Sequence, residues 1–181
     1  MLGLLTRNTF RHGVHPPEMK DDTSHLSIRR FPFAPMLIVP LSQHLGKPAR
    51  PVVRAGQEVT RGQVTAEADG VMSVAMHAPA SGTVKQIALA PVIGGNMTES
   101  VFIEPFPASS QEVDEGDPCE LETATAEEII LAIQKAGIVG LGGAAFPTHV
   151  KLKPPDGKTL DTLIVNGVEC EPYLTTDHRV M

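Results

Sequence analysis

The chain has 181 residues, enough for one large domain or two small ones. An apolar fraction of 41% supports ordinary cores, while six Phe, one Tyr and no Trp leave no aromatic platform for single-stranded nucleic acid. The formal net charge of −6 gives no general attraction to polyanions, so any phosphate site must be local, built from backbone N–H groups and one or two cations.

Residues 1–39 read as an irregular segment rich in His, Pro and charge. Pro16-Pro17 within GVHPPEMK (Gly13 to Lys20) favours extended backbone. The N-terminal MLGLLTRNTFRHG is too short and too polar after Leu5 for a signal peptide. His12 and His15 sit three apart but lack carboxylate or thiolate company at ligand spacing, so the segment reads as packed along a domain edge rather than as a metal site. PMLIVPL, from Pro35 to Leu41, is the longest apolar run and falls far short of the roughly 18 residues a bilayer span needs, so no direct membrane span is expected.

Residues 40–105 carry short β-branched runs at Val52-Val53, Val59, Val64, Val71 to Val74, Val84 to Leu89 and Val101 to Ile103. Glycines at 56, 62, 70, 82 and 94–95 punctuate them, the pattern of a small sandwich or barrel. RAGQEVTRGQV is answered by APASGTVKQIA, a weak internal repeat. Residues 106–123 form an acidic linker: six acids and no Lys or Arg lie between Glu112 and Glu122, which reads as a solvated connector without calcium-loop spacing. Cys119 lies in it with nothing nearby to activate a thiol. Cys119 and Cys170 form no CxxC, and a disulfide framework is not expected.

In residues 124–181 the period changes. TAEEIILAIQKAG reads as an amphipathic helix with Thr125 as N-cap, Glu128 completing a capping box and Gly137 as its stop. The glycine-dense GIVGLGGAAFPTHVKL follows, then TLIVN (Thr162 to Asn166), expected as a short buried strand. Gly140-x-Gly142-x-x-Ala145 matches a dinucleotide fingerprint by letter, but a helix rather than a strand precedes it, and Asp161 stands before the next strand instead of after it. An ordinary Rossmann site is therefore disfavoured. The residues alone leave two readings, glycines for tight packing or glycines that let backbone approach a phosphate.

The β segment, with VRAGQEVTRGQV and HAPASGTVKQI, resembles the biotinyl/lipoyl-like barrel-sandwich hybrid fold. Carriers of that fold place a prosthetic-group lysine on the hairpin that here reads EADGVMS (Glu67 to Ser73), without lysine, so the resemblance implies a scaffold or docking piece rather than a swinging arm. GLGGAAFPTHVKL followed by IVNGVECEPYLTTDHRVM resembles the NADH- and FMN-binding subunit of respiratory complex I, with its GRGGAGFPTG-(x)-K and VN-x-DE-x-EP patterns. Together with GVHPPEMK and the lysine-free module, it resembles the RnfC family over Gly13 to Met181. Members of that family belong to Rnf-type electron-transport complexes, which are ion-translocating ferredoxin:NAD⁺ oxidoreductases.

That resemblance implies an α+β chain in two parts, a barrel-sandwich domain followed by the truncated start of an α/β NADH/FMN-binding domain. It implies membership of an enzyme complex on the cytoplasmic side of the inner membrane, held peripherally by other subunits, with NADH as partner and no nucleic acid. The implied cofactors are FMN and NAD(H). Gly140, Gly142 and Gly143 would cradle the phosphate, Lys151 would compensate its charge, and Phe146 would offer a ring face. Asn166 would hydrogen-bond the flavin, with Glu169, Cys170 and Glu171 beside it. Leu141, Val168 and Cys170 stand where the family pattern has arginine, aspartate and serine. No side chain is assigned a catalytic role, because hydride chemistry belongs to the cofactor. The family's [4Fe–4S] clusters need four thiolates each, more than this chain has, so it is expected to be an N-terminal fragment that is inactive alone. The alternative is a non-catalytic docking or assembly module.

Overall fold

The computed structural model describes residues 16–29, 32–108, 110–141, 143–155, 157–158 and 160–181. Two compact units emerge, one of residues 31–161 and one joining residues 1–30 to 162–181.

The first unit is built on antiparallel strands. β1 (Leu37–Pro40), β7 (Met97–Pro105), β6 (Gly82–Pro91) and β3 (Glu58–Val59) lie in that order in one sheet. β2 (Arg50–Pro51), β4 (Val64–Glu67) and β5 (Met76–His77) form a second. β6 and β7 are the long hairpin, pairing Gly82 with Pro105 through to Pro91 with Met97 around a bulge between Val84 and Gln86. Alternation along these strands sends Val84, Val101 and Ile103 inward, where all three are fully buried. They join Val39, Leu41, Val53, Val59, Ala66 and Val74 in one core, and removing their apolar surface from water is the main force holding the sheets together. Gly82 is needed where β6 passes β7, because a Cβ there would collide with the Glu104 carbonyl.

Two sequence expectations are corrected in this unit. Val71 to Val74 is not a strand: Val71 and Met72 make a turn, and the chain re-enters the sheet only at Met76. Part of the acidic segment is docked rather than solvated. Gln111 accepts from the Ser81 N–H at 2.8 Å and donates to its carbonyl at 3.3 Å, and the Asp114 N–H donates to the Arg61 carbonyl at 2.6 Å. A polar side chain that satisfies both backbone groups of one residue ties a loop down as a strand partner would.

α1 (Ala126–Lys135) begins with the expected capping box at Thr125 and Glu128, which stabilises a helix start by about 1 kcal/mol. Gly137, at φ +74°, ends it. β8 (Val139–Gly140) and β9 (Phe146–Pro147) then make a two-stranded hairpin that leads directly into α2 (Thr148–Lys151). α1 and this hairpin belong to the same compact unit as the barrel strands.

In the second unit a short 3₁₀ turn, Lys20–Asp22, meets the segment that ends in α3 (Thr176–Val180). The expected buried strand TLIVN is not formed. Thr162 to Asn166 is irregular, and Leu163, Ile164 and Val165 are 77, 85 and 67% exposed. A strand satisfies its N–H and C=O groups only through a neighbour, and no described strand pairs with this run.

Candidate functional site

The glycine-rich stretch becomes the tip of the β8–β9 hairpin, with Val139 opposite Pro147 and Gly140 opposite Phe146. Its last loop residue, Ala145, takes a left-handed φ of +50° and accepts a hydrogen bond from the Leu45 N–H at 3.2 Å. Three of the expected residues converge here. The Lys151 ammonium folds back from α2 against Gly140, so that a Cβ on Gly140 would strike Nζ. The same Nζ lies 5.8 Å from the centre of the half-buried Phe146 ring, a cation–π distance. Gly143 faces open space, with nothing within 4 Å of an added Cβ. Gly142 lies outside the described residues. A cation beside an aromatic face, with the open backbone of Gly143 nearby, is chemistry that suits a phosphate carrying an aromatic ring system.

The remaining expected residues belong to the other unit. The Asn166 side-chain oxygen accepts from the Val168 N–H at 3.0 Å, a local turn bond. Glu169 is the most enclosed of the group. Its carboxylate lies 3.7 Å from Lys20 Nζ and accepts from the His178 N–H at 3.2 Å. Lys20 also donates to the Glu169 carbonyl at 2.6 Å and to the Leu174 carbonyl at 3.0 Å. Thr23 donates to the Tyr173 carbonyl and Arg179 to that of Ser24. Cys170 and Glu171 are exposed.

Lys20, which holds Glu169, is not among the residues the sequence singles out for the site. It stands in GVHPPEMK, 149 positions from Glu169. The signal available was the motif itself, a lysine in a proline-stiffened segment with no local acid at helical spacing. His149 and Gln134 were missed too. Both hold the lysine-free hairpin of the barrel: Gln134 donates to the Gly70 and Ser73 carbonyls at 3.0 and 2.9 Å, and His149 Nε2 donates to the Val71 carbonyl at 2.7 Å. Each bond spans more than sixty residues, beyond any local pattern.

Two clefts of about 790 and 640 Å³ flank α1, and neither takes in a described residue of the glycine hairpin. The first is lined by His77, Cys119, Glu128 and Lys135. Burial pushes the His77 imidazole below its ordinary range, with the Lys135 carbonyl and the Asp114 charge partly opposing. Among the described residues no group of three His, Cys, Asp or Glu side chains is placed to hold a metal ion. No described helix is long and apolar enough to cross a membrane.

Two family descriptions match the chain: the RnfC barrel sandwich hybrid domain over residues 8–106 and the Nuo51 FMN-binding domain over residues 133–181. A component of the Na⁺-translocating ferredoxin:NAD⁺ oxidoreductase complex of Acetobacterium woodii is 42% identical over 178 residues, covering 96% of this chain and 39% of that protein. Its counterpart in the proton-translocating complex of Clostridium ljungdahlii is 41% identical over 175 residues, covering 96% of this chain and 38% of the relative. A component of the ion-translocating oxidoreductase complex of Haemophilus influenzae is 36% identical over 175 residues, 95% of this chain and 21% of its own length. The chain thus spans between about a fifth and two fifths of these curated relatives. Because the first description matches residues 8–106, more than half of the chain, the chain belongs to the RnfC family.

Proposed function

We propose that this chain contributes the NADH- and FMN-binding module of a membrane-associated, ion-translocating ferredoxin:NAD⁺ oxidoreductase, held at the cytoplasmic face of the inner membrane by other Rnf-type subunits. The observation that carries the reading is the Lys151 ammonium held against Gly140 beside the Phe146 ring, within the stretch that matches an FMN-binding family. Lys151 binds the phosphate and offsets its charge. Gly140, Gly142 and Gly143 admit it close to the backbone, where a side chain would keep it away. Phe146 presents an apolar face that excludes water from one side of a ring.

Asn166, Glu169, Cys170 and Glu171 supply the polar partners of the flavin and nicotinamide in this reading. Glu169 is held in place by Lys20, and such a fixed carboxylate orients a ribose hydroxyl without first losing side-chain freedom. When bound, FMN exchanges a hydride for single electrons. Iron–sulfur clusters that relay those electrons would be held by thiolates outside this chain. The isolated chain is accordingly expected to bind cofactor without turning over.

The test is a fluorescence titration with FMN. Saturable quenching is expected, and Lys151→Met should weaken it about tenfold, the worth of one charge-assisted hydrogen bond. An absence of saturable quenching would overturn the reading for this chain. It would favour the second one, a docking module, which draws on the exposed Leu89, Ile93 and Met97 around the end of the β6–β7 hairpin.

A further inference from the structure

Four consecutive carbonyls of the barrel hairpin, those of Gly70, Val71, Met72 and Ser73, each accept a hydrogen bond from outside it. Gln134 of α1 takes Gly70 and Ser73, His149 of α2 takes Val71, and the Lys47 N–H takes Met72 at 2.8 Å. The hairpin that would carry a mobile lysine in a lipoyl-type carrier is therefore a fixed socket. Two of its three holders connect it to the glycine hairpin. His149 sits two residues before Lys151, and the loop that supplies Lys47 also supplies Leu45, whose N–H holds Ala145.

We infer that His149 is a positioning residue: by anchoring α2 to the Val71 carbonyl it fixes where the Lys151 ammonium stands over Gly140. α2 has four residues, too few to hold its own geometry, so its orientation must come from tertiary contacts. His149 is its one buried residue, 5% exposed, whereas Lys151 is exposed. A carbonyl can only accept, so Nε2 donates, while Nδ1 finds no partner among the described residues. An imidazole buried with one nitrogen unpaired is a poor way to fill apolar space. Its other nitrogen makes the bond that ties the two hairpins together, and that bond is what the imidazole supplies and leucine would not.

This inference rests on the proposed phosphate site, and the experiment separates the two. FMN and riboflavin, which lacks the phosphate, are titrated against the wild-type chain and against His149→Leu, His149→Gln, Lys151→Met and His149→Leu/Lys151→Met. His149→Leu is expected to weaken FMN about tenfold while riboflavin changes less than about twofold, since the loss falls on one charge-assisted contact. Glutamine, which places an amide donor near the same point, should recover most of the loss. The double variant should bind FMN no more weakly than Lys151→Met alone. Equal losses for both flavins, or an unchanged FMN affinity in His149→Leu, would overturn the inference. If the wild-type chain binds neither flavin, the proposed function fails, and amide hydrogen exchange still decides the anchor. Faster exchange across residues 138–148 in His149→Leu is expected, and unchanged exchange would overturn it.

Discussion

Val101-Phe102-Ile103 and Leu163-Ile164-Val165 are nearly the same apolar triplet, yet the chain treats them in opposite ways. In β7, Val101 and Ile103 are wholly buried, and the strand is paired on one side with β1 and on the other with β6. Leu163, Ile164 and Val165 form no strand and are mostly exposed. The difference teaches that an apolar β-branched run specifies a strand only together with a neighbour. The first triplet has its partner across the β6–β7 hairpin, Val101 facing Ile87 and Ile103 facing Val84, while the second has none among the described residues.

The widest test of this contrast is a pair of truncations. Ile103→Ala should cost about 3–4 kcal/mol, the range for emptying a fully packed aliphatic site. Ile164→Ala should stay within about 0.5 kcal/mol, as for a solvent-facing substitution. Urea unfolding of both variants measures the gap. Comparable losses would mean that the two triplets are equally packed, and the contrast would be lost.

What was legible in the sequence divides along the same line. The capping box at Thr125 and Glu128, the stop at Gly137 and the glycine-punctuated barrel strands are local patterns, and each appears in the fold. The lysine-free hairpin was legible as well. Its clamp was not, because Gln134 and His149 reach it across 61 to 78 residues. Gly140, Phe146 and Lys151 were legible as a group because twelve consecutive residues carry them all in one hairpin and helix. TLIVN has the composition of a buried strand, but composition does not supply the neighbour that a strand needs.

A narrower test concerns the second unit, whose described residues include no buried hydrophobic side chain and are joined by polar ties. Lys20 holds two carbonyls and the Glu169 carboxylate at once, and Glu169's side chain is only 9% exposed. Lys20→Met should therefore cost that unit about 2 kcal/mol, the usual range for hydrogen bonds to a charged group. Limited proteolysis should cut residues 162–181 faster in this variant, with the barrel's cleavage rate unchanged. Unchanged cleavage at 162–181 would show that Lys20 does not organise the segment.

The finest test is a slope, and it falls on the barrel unit alone. Burial lowers the His44 pKa below its ordinary 6.5, with the Lys47 carbonyl opposing and nearby His149 adding to the shift. His77 is lowered from the same value, again chiefly by burial. Both imidazoles thus stay neutral in the folded chain at a pH where the unfolded chain protonates them. The unfolded state then binds more protons, so stability is full above about pH 7 and declines as pH falls through 6.5 toward the folded values. Carboxylates begin to titrate lower in that range, so the comparison is made between variants rather than between pH values alone. Urea midpoints for the wild-type chain and for His44→Gln/His77→Gln, taken at pH 7.5 and 5.5, isolate the histidine share. The double variant should lose less stability on acidification than the wild type. An equal loss would remove these two imidazoles as the cause of the acid sensitivity.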